Sequence, residues 1–208
     1  MKKTIIISLI FLASAGTAFS QTIWSLSYEP ATPVGEMRDF ISESTLVGLN
    51  FSAGWYINSR ISVGGSIQWT EFYEKNERHT WYFDGGAVTA NAWKEFYIWS
   101  FYANAKYHFK DVEEEGRFVP YVGMSIGTMY INQNAQVGTY EFKEKSWRFA
   151  FAPEVGARIP MGLEQSWGFN FLIRYQMSIY EKNDINILQF LNYSVGVYWK
   201  MWPRGERY

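Results

Sequence analysis

Across residues 167–179 large apolar side chains alternate with small or polar ones. Trp167, Phe169, Phe171, Ile173, Tyr175, Met177 and Ile179 fall on one side, and Gly168, Asn170, Leu172, Arg174, Gln176 and Ser178 on the other. A period of two belongs to a β-strand with unlike faces. Residues 147–159 repeat it, setting Trp147, Phe149, Phe151 and Val155 against Arg148, Glu154, Gly156 and Arg158. The same rhythm marks 97–109 and 187–199, and weaker versions span 22–29, 44–57, 60–73 and 118–131, the last blurred by Pro120. The pattern predicts eight strands and hardly any helix. Of the connections, 58–59, 110–117 and 160–166 are short, whereas 30–43, 72–92 and 132–145 are long.

Alternation alone does not say which face points inward. Composition does: Phe, Trp and Tyr make up 20% of the chain, with 10 Trp, while mean hydropathy is slightly negative. Eight strands enclose a space just wide enough for side chains. The face of Gly, Ser, Asn and Arg therefore belongs inside, and the aromatic face covers a lipid-facing wall with girdles at both interfaces. Lipid admits only helices or closed sheets, and beyond the N-terminal segment no apolar run approaches the roughly 20 residues of a membrane-spanning helix. The expected fold is an all-β, eight-stranded antiparallel transmembrane β-barrel in the cell outer membrane, with short periplasmic turns and longer extracellular loops. A soluble secreted lipid-binding barrel is the alternative, and fractionation separates the two.

Lys2 and Lys3 precede an apolar run over 5–12 and small residues ending Ala18-Phe19-Ser20. This predicts a signal peptide over 1–20, cut before Gln21, and one barrel domain over 21–208. Lys and Arg number 19 against 20 Asp and Glu, with no basic stripe, so nucleic acid is excluded as a partner. The absence of cysteine rules out thiol catalysis and disulfide staples.

The segments Val119-Pro120-Tyr121-Val122-Gly123-Met124-Ser125-Ile126-Gly127, Ile61-Ser62-Val63-Gly64-Gly65-Ser66 and Tyr193-Ser194-Val195-Gly196-Val197-Tyr198-Trp199 resemble the small outer-membrane β-barrel family related to OmpA, OmpX and OmpW, of the type plentiful in Bacteroidota. The resemblance spans 21–208, and its motifs specify architecture rather than activity. It implies outer-membrane lipid and lipopolysaccharide as surroundings. It also implies the barrel-assembly machinery as a partner during biogenesis, which in that family reads an aromatic residue ending the last strand, here Trp199. Lys200 to Tyr208 follow that residue, a departure from the family pattern. Too few residues remain for the peptidoglycan-binding domain of full OmpA proteins.

The inward face gathers Arg148, Glu154, Arg158 and Arg174, with Lys106 joining from another strand. Isolated buried charges are costly, so the set predicts a salt-bridge network plugging the barrel. A narrow ion path is the functional alternative, although eight-stranded barrels generally leave no continuous channel. Residues 71–94, with Phe72, Tyr73, Trp81, Tyr82, Phe83 and Trp93 among charges, form the candidate extracellular recognition loop. Packing of these aromatics over the barrel mouth is the competing reading.

Some small outer-membrane barrels modify lipid A with Ser and His, but the two histidines, His79 and His108, have no serine and carboxylate at matching depth on the membrane face, and no catalytic residue is expected. Nor do they offer metal-binding spacing. Asp111, Glu113, Glu114 and Glu115 read as a solvated turn, Gly85-Gly86 as a loop turn rather than a phosphate cradle, and no cofactor is expected. The functional expectation is a non-enzymatic barrel with a structural or surface-interaction role, in one version an accessory subunit of a larger outer-membrane complex with an outer-membrane protein partner. A narrow pore and a lipid A-modifying enzyme are the alternatives.

Overall fold

The structure is a computed structural model that describes residues 22–83, 86–111, 118–137, 140–162, 165–182 and 185–201. The segment read as a signal peptide and the tail 202–208 lie outside the described residues. In chain order the elements are β1 (Thr22–Tyr28), β2 (Ala31–Pro33), α1 (Glu36–Phe40), β3 (Gly48–Tyr56), β4 (Ile61–Phe83), β5 (Gly86–His108), β6 (Val119–Val137), β7 (Tyr140–Met161), β8 (Trp167–Lys182) and β9 (Ile185–Met201). Each of β3 to β8 pairs antiparallel with the next, and β1 pairs with both β3 and β9, which closes the ring. β2 continues β1 along β9, Tyr28 facing Val195 and Ala31 facing Asn192. The break falls at Glu29-Pro30, where proline has no N–H to give to a ladder. The nine strands thus make a barrel of eight, as the period-two pattern anticipates.

The alternation holds around the wall. Leu26, Phe51, Ile67 and Phe101 are register neighbours on β1, β3, β4 and β5, and all are exposed outward. Two aromatic rows bound this apolar belt. Trp24, Trp199 and Trp167 stand side by side near the end that holds both termini, and Trp69, Trp99, Tyr130 and Trp147 form the row nearer the other end. From Trp99 to Tyr107 the strand advances about 26 Å at roughly 3.3 Å per residue, or about 20 Å along the axis at a tilt of roughly 40°. That height suits an outer-membrane apolar band of roughly 25 Å.

Connection lengths depart from expectation at one end. Segments 72–92 and 132–145 are not loops: Phe72 pairs with Phe96 and the ladder runs, with one irregularity between Asn76 and His79, to Phe83 opposite Gly86, while Asn132 to Val137 pair with Lys145 to Tyr140. Only 84–85 and 138–139 separate the strands there. Beyond the bilayer the outer face need not be apolar, so alternation fades from the sequence while backbone pairing continues. β4 to β7 consequently stand past the upper aromatic row as an ordered sheet.

The third segment read as a loop, 30–43, turns inward. It carries β2 and α1, whose Met37, followed by Ile41, is buried against Phe72, Phe96, Ile98, Met129, Tyr180, Leu188 and Phe190. The outer half of the lumen is a hydrophobic core, and the half nearer the termini is polar.

Candidate functional site

Glu154 on β7 occupies the middle of the polar half. Across the ladder it faces Gly123, where a Cβ would sit 2.9 Å from its own side chain, so glycine makes room for the carboxylate. Lys106 Nζ lies 3.0 Å from Glu154 Oε1, and Arg174 Nε donates to Glu154 Oε2 at 2.8 Å. Arg174 also approaches Glu29 at 3.8 Å, and Asn50 Nδ2 donates to the same Glu29 oxygen at 3.0 Å. Around this ionic chain lies an amide and hydroxyl shell. Arg174 donates to Gln68, Gln176 Nε2 donates to Gln68 at 2.7 Å and to Asn192 at 2.5 Å, and Tyr102 OH donates to Gln176 at 2.6 Å.

The five charges read from the sequence do not form one cluster. Lys106, Glu154 and Arg174 meet. Arg158 stands apart in a cage of tyrosines, its NH1 donating to Tyr56 OH at 2.8 Å and its guanidinium lying over the rings of Tyr121 and Tyr198. Gly156 leaves the space for Tyr121, since a Cβ there would lie 2.6 Å from the phenol. Arg148 sits half-buried near the outer core, 6.0 Å from the Tyr180 ring centre. All three arginines share a strand face or its neighbour, but residues 148 and 158 on β7 are ten positions apart, far beyond the reach of one ion cluster. Glu29 was missed because it stands at a strand end beside a proline, where no alternation marks it as inward.

The aromatic loop set also separates. Phe72 is fully buried, 5.4 Å from Phe190, and belongs to the core under α1 rather than to a recognition surface. From Ser62 to Glu74 the even-numbered β4 residues face the lumen, so Phe72 points inward and Tyr73, 45% exposed, points outward. Trp93 is half-exposed on the outer face of β5. The side chains of Trp81, Tyr82 and Phe83 lie outside the described residues. Trp199 pairs with Trp24 and Trp167, and β9 runs two residues further, to Met201.

Two arrangements hold α1 in place. Glu36 accepts the backbone N–H groups of Asn186 (2.5 Å) and Ile187 (3.0 Å), and these bonds hold its carboxyl below the usual range. Glu74 accepts from Ser42 N–H and Oγ, and Lys94 Nζ donates to Phe40 O at 2.7 Å. At the opposite end, Arg60 clasps Asp111 at 2.7 and 3.1 Å and holds its carboxyl low. Asp111 is therefore paired, while Glu113, Glu114 and Glu115 lie outside the described residues.

His108 faces the lumen with Ser62 Oγ 3.0 Å from its Nε2, between the rings of Tyr56 and Tyr121. This serine–histidine pair escaped sequence reading, because the two residues are 46 positions apart on different strands. Its Nδ1 is buried with no partner, whereas a catalytic histidine is oriented there by a carboxylate. The side chain of His79 is outside the described residues. Among the described residues no three of His, Cys, Asp and Glu gather closely enough to hold a metal ion.

A closed antiparallel wall with two aromatic girdles and a side-chain-filled lumen is the geometry of an outer-membrane barrel, and the outer membrane protein beta-barrel domain family matches residues 9–200. The chain belongs to that family. Its place is the outer membrane, in the lipid and lipopolysaccharide environment of such barrels. Among solved structures, this beta-barrel domain is similar to Neisserial surface protein A, with 14% identity, 87% of this chain and 96% of that one covered, and a TM-score of 0.55. It is similar to Ail, the attachment invasion locus protein of Yersinia pestis (10%, 88% and 99%, 0.54), and to OprG of Pseudomonas aeruginosa (12%, 89% and 97%, 0.51). At these identities the likeness is one of fold. No curated protein matches the chain.

Proposed function

We propose that this barrel is a non-enzymatic structural and surface-interaction protein that presents the β4–β7 sheet outside the cell. The observation that carries the reading is the filling of the lumen: an ionic network across one half and the α1 core across the other leave the projecting sheet as the part free to meet another molecule. Its outer rows place Glu71, Tyr97, Asn132 and Lys145 in register, then Tyr73, Glu95, Asn134 and Lys143. Mixed charge with tyrosine on a rigid sheet suits recognition of polar partners. An accessory place in a larger outer-membrane complex, with this sheet as the contact, belongs to the same proposal. So does Trp199 as the aromatic read during assembly.

The test replaces Tyr73, Glu95, Lys143 and Lys145 on these outer rows with serine and compares wild-type and variant barrels on cells by crosslinking. The variant should assemble normally and lose the wild-type crosslinks. A steady current through the wild-type protein in planar bilayers, or a changed lipid A mass spectrum on deletion of the gene, would overturn the reading in favour of the pore or the enzyme.

A further inference from the structure

A small cavity of about 10 Å³ lies inside the barrel near the terminal end, lined by Ser52, Ser62, Asn104, Lys106 and Arg158 with Ile23 at its side. That volume accommodates a particle about the size of one water molecule. Two of its lining side chains are more than nine-tenths buried and carry donors that nothing accepts: Asn104 Nδ2 and Arg158 Nε. Lys106 contributes an ammonium, of whose three donors one meets Glu154. Lys106 and Arg158 both lie against the ring of Tyr121, at 5.1 and 5.4 Å from its centre, so the two cations bracket one spot.

Charge balance separates an anion from a water. In the polar half of the lumen Lys106, Arg158 and Arg174 are buried with Glu29 and Glu154. Glu154 neutralises Lys106, and Arg174 bridges Glu154 and Glu29. Arg158 has tyrosines around it and no carboxylate among the described residues. A water satisfies donors but leaves the guanidinium charge buried and uncompensated, which is the costly arrangement. A monatomic anion satisfies both, and the cavity is too small for phosphate or a carboxylate. We propose that the cavity between Arg158, Asn104 and Lys106 binds a chloride ion that completes the charge balance of the lumen.

The test uses the full barrel folded in phospholipid vesicles, with the loss of the folded band on heating read in sodium chloride and in sodium gluconate at equal ionic strength and pH. The wild-type midpoint should be several degrees higher in chloride and saturate with concentration. Arg158→Gln, which keeps a donor and removes the charge, should unfold at the same temperature in both salts. Asn104→Leu serves in its place if that variant does not assemble. Equal wild-type midpoints overturn the proposal, and so does a chloride effect that survives in both variants, since the ion then acts elsewhere. Crystals soaked in bromide give a check that needs no variant: an anomalous peak beside Asn104 and Arg158 supports the site, and its absence there means a water fills the cavity.

Discussion

Glu154 is the residue on which the polar lumen turns, because Lys106 and Arg174 both point at it. Replacing a buried ion pair by apolar groups is often harmless, but removing one partner strands the other charge at roughly 3–5 kcal/mol. Glu154→Ala leaves Lys106 without its carboxylate, and leaves Arg174 the longer 3.8 Å approach to Glu29 as its carboxylate contact beside the Gln68 hydrogen bond. The folded band of the Ala variant should therefore disappear at clearly lower temperature than that of wild type on heated gels. Glu154→Gln, which keeps an acceptor beside both cations, should fall between. An unchanged midpoint for the Ala variant would show that the lumen is wet enough to solvate both cations.

At the scale of elements, α1 is the part that alternation could not reveal. Five helical residues with one buried face, Met37, give no measurable period, and the segment around them reads as polar loop. The wall was legible where lipid enforces contrast between faces, as on β8 and on β7 below Ala150. It was illegible where both faces are wet, as over 141–146, and across the irregularity between Asn76 and His79, although the backbone ladder continues through both stretches. In the lumen the sequence shows which side chains face inward, because parity alone decides that. Spacing along β7 also separates Arg148 and Arg158 from Glu154, by six and four positions, but it does not show that Lys106 and Arg174 meet Glu154 or that tyrosines enclose Arg158, because those contacts depend on register between strands distant in sequence. The attachment of α1 to the β8–β9 tip rests on one carboxylate that accepts two backbone N–H groups. A carboxyl held below its ordinary value of 4.5 contributes stability that is present above that value and lost as pH falls through the depressed one. Amide protection of Asn186 and Ile187, expressed relative to intrinsic exchange, should accordingly drop on acidification in wild type. In Glu36→Gln it should start low and stay flat.

For the molecule as a whole, the two fillings of the lumen act as barriers in series, and they are built independently. The ring closes through the pairing of β1 with β3 and β9, none of which involves α1. The ends of the inward segment already meet, since Ala31 bridges Thr45 and the hydroxyls of Thr32 and Ser44 lie 3.0 Å apart. Residues 35–43 can therefore be replaced by a short glycine-containing turn without stretching the chain. The expected product is an assembled barrel that has lost the burial of Met37 and Ile41, at a cost of about 2–5 kcal/mol for each large apolar side chain withdrawn. It should still pass no current, because Glu154, Arg174 and the glutamine shell cross the lumen below the vacated space. Glu154→Ser combined with Arg174→Ser, with α1 kept, should be equally silent behind the hydrophobic core. Only the combined variant removes both barriers, and it should show discrete openings in a planar bilayer. Current from either change alone would mean that the filling left in place does not seal the barrel by itself, and silence from the combined variant would mean that the eight-stranded wall closes on its remaining side chains.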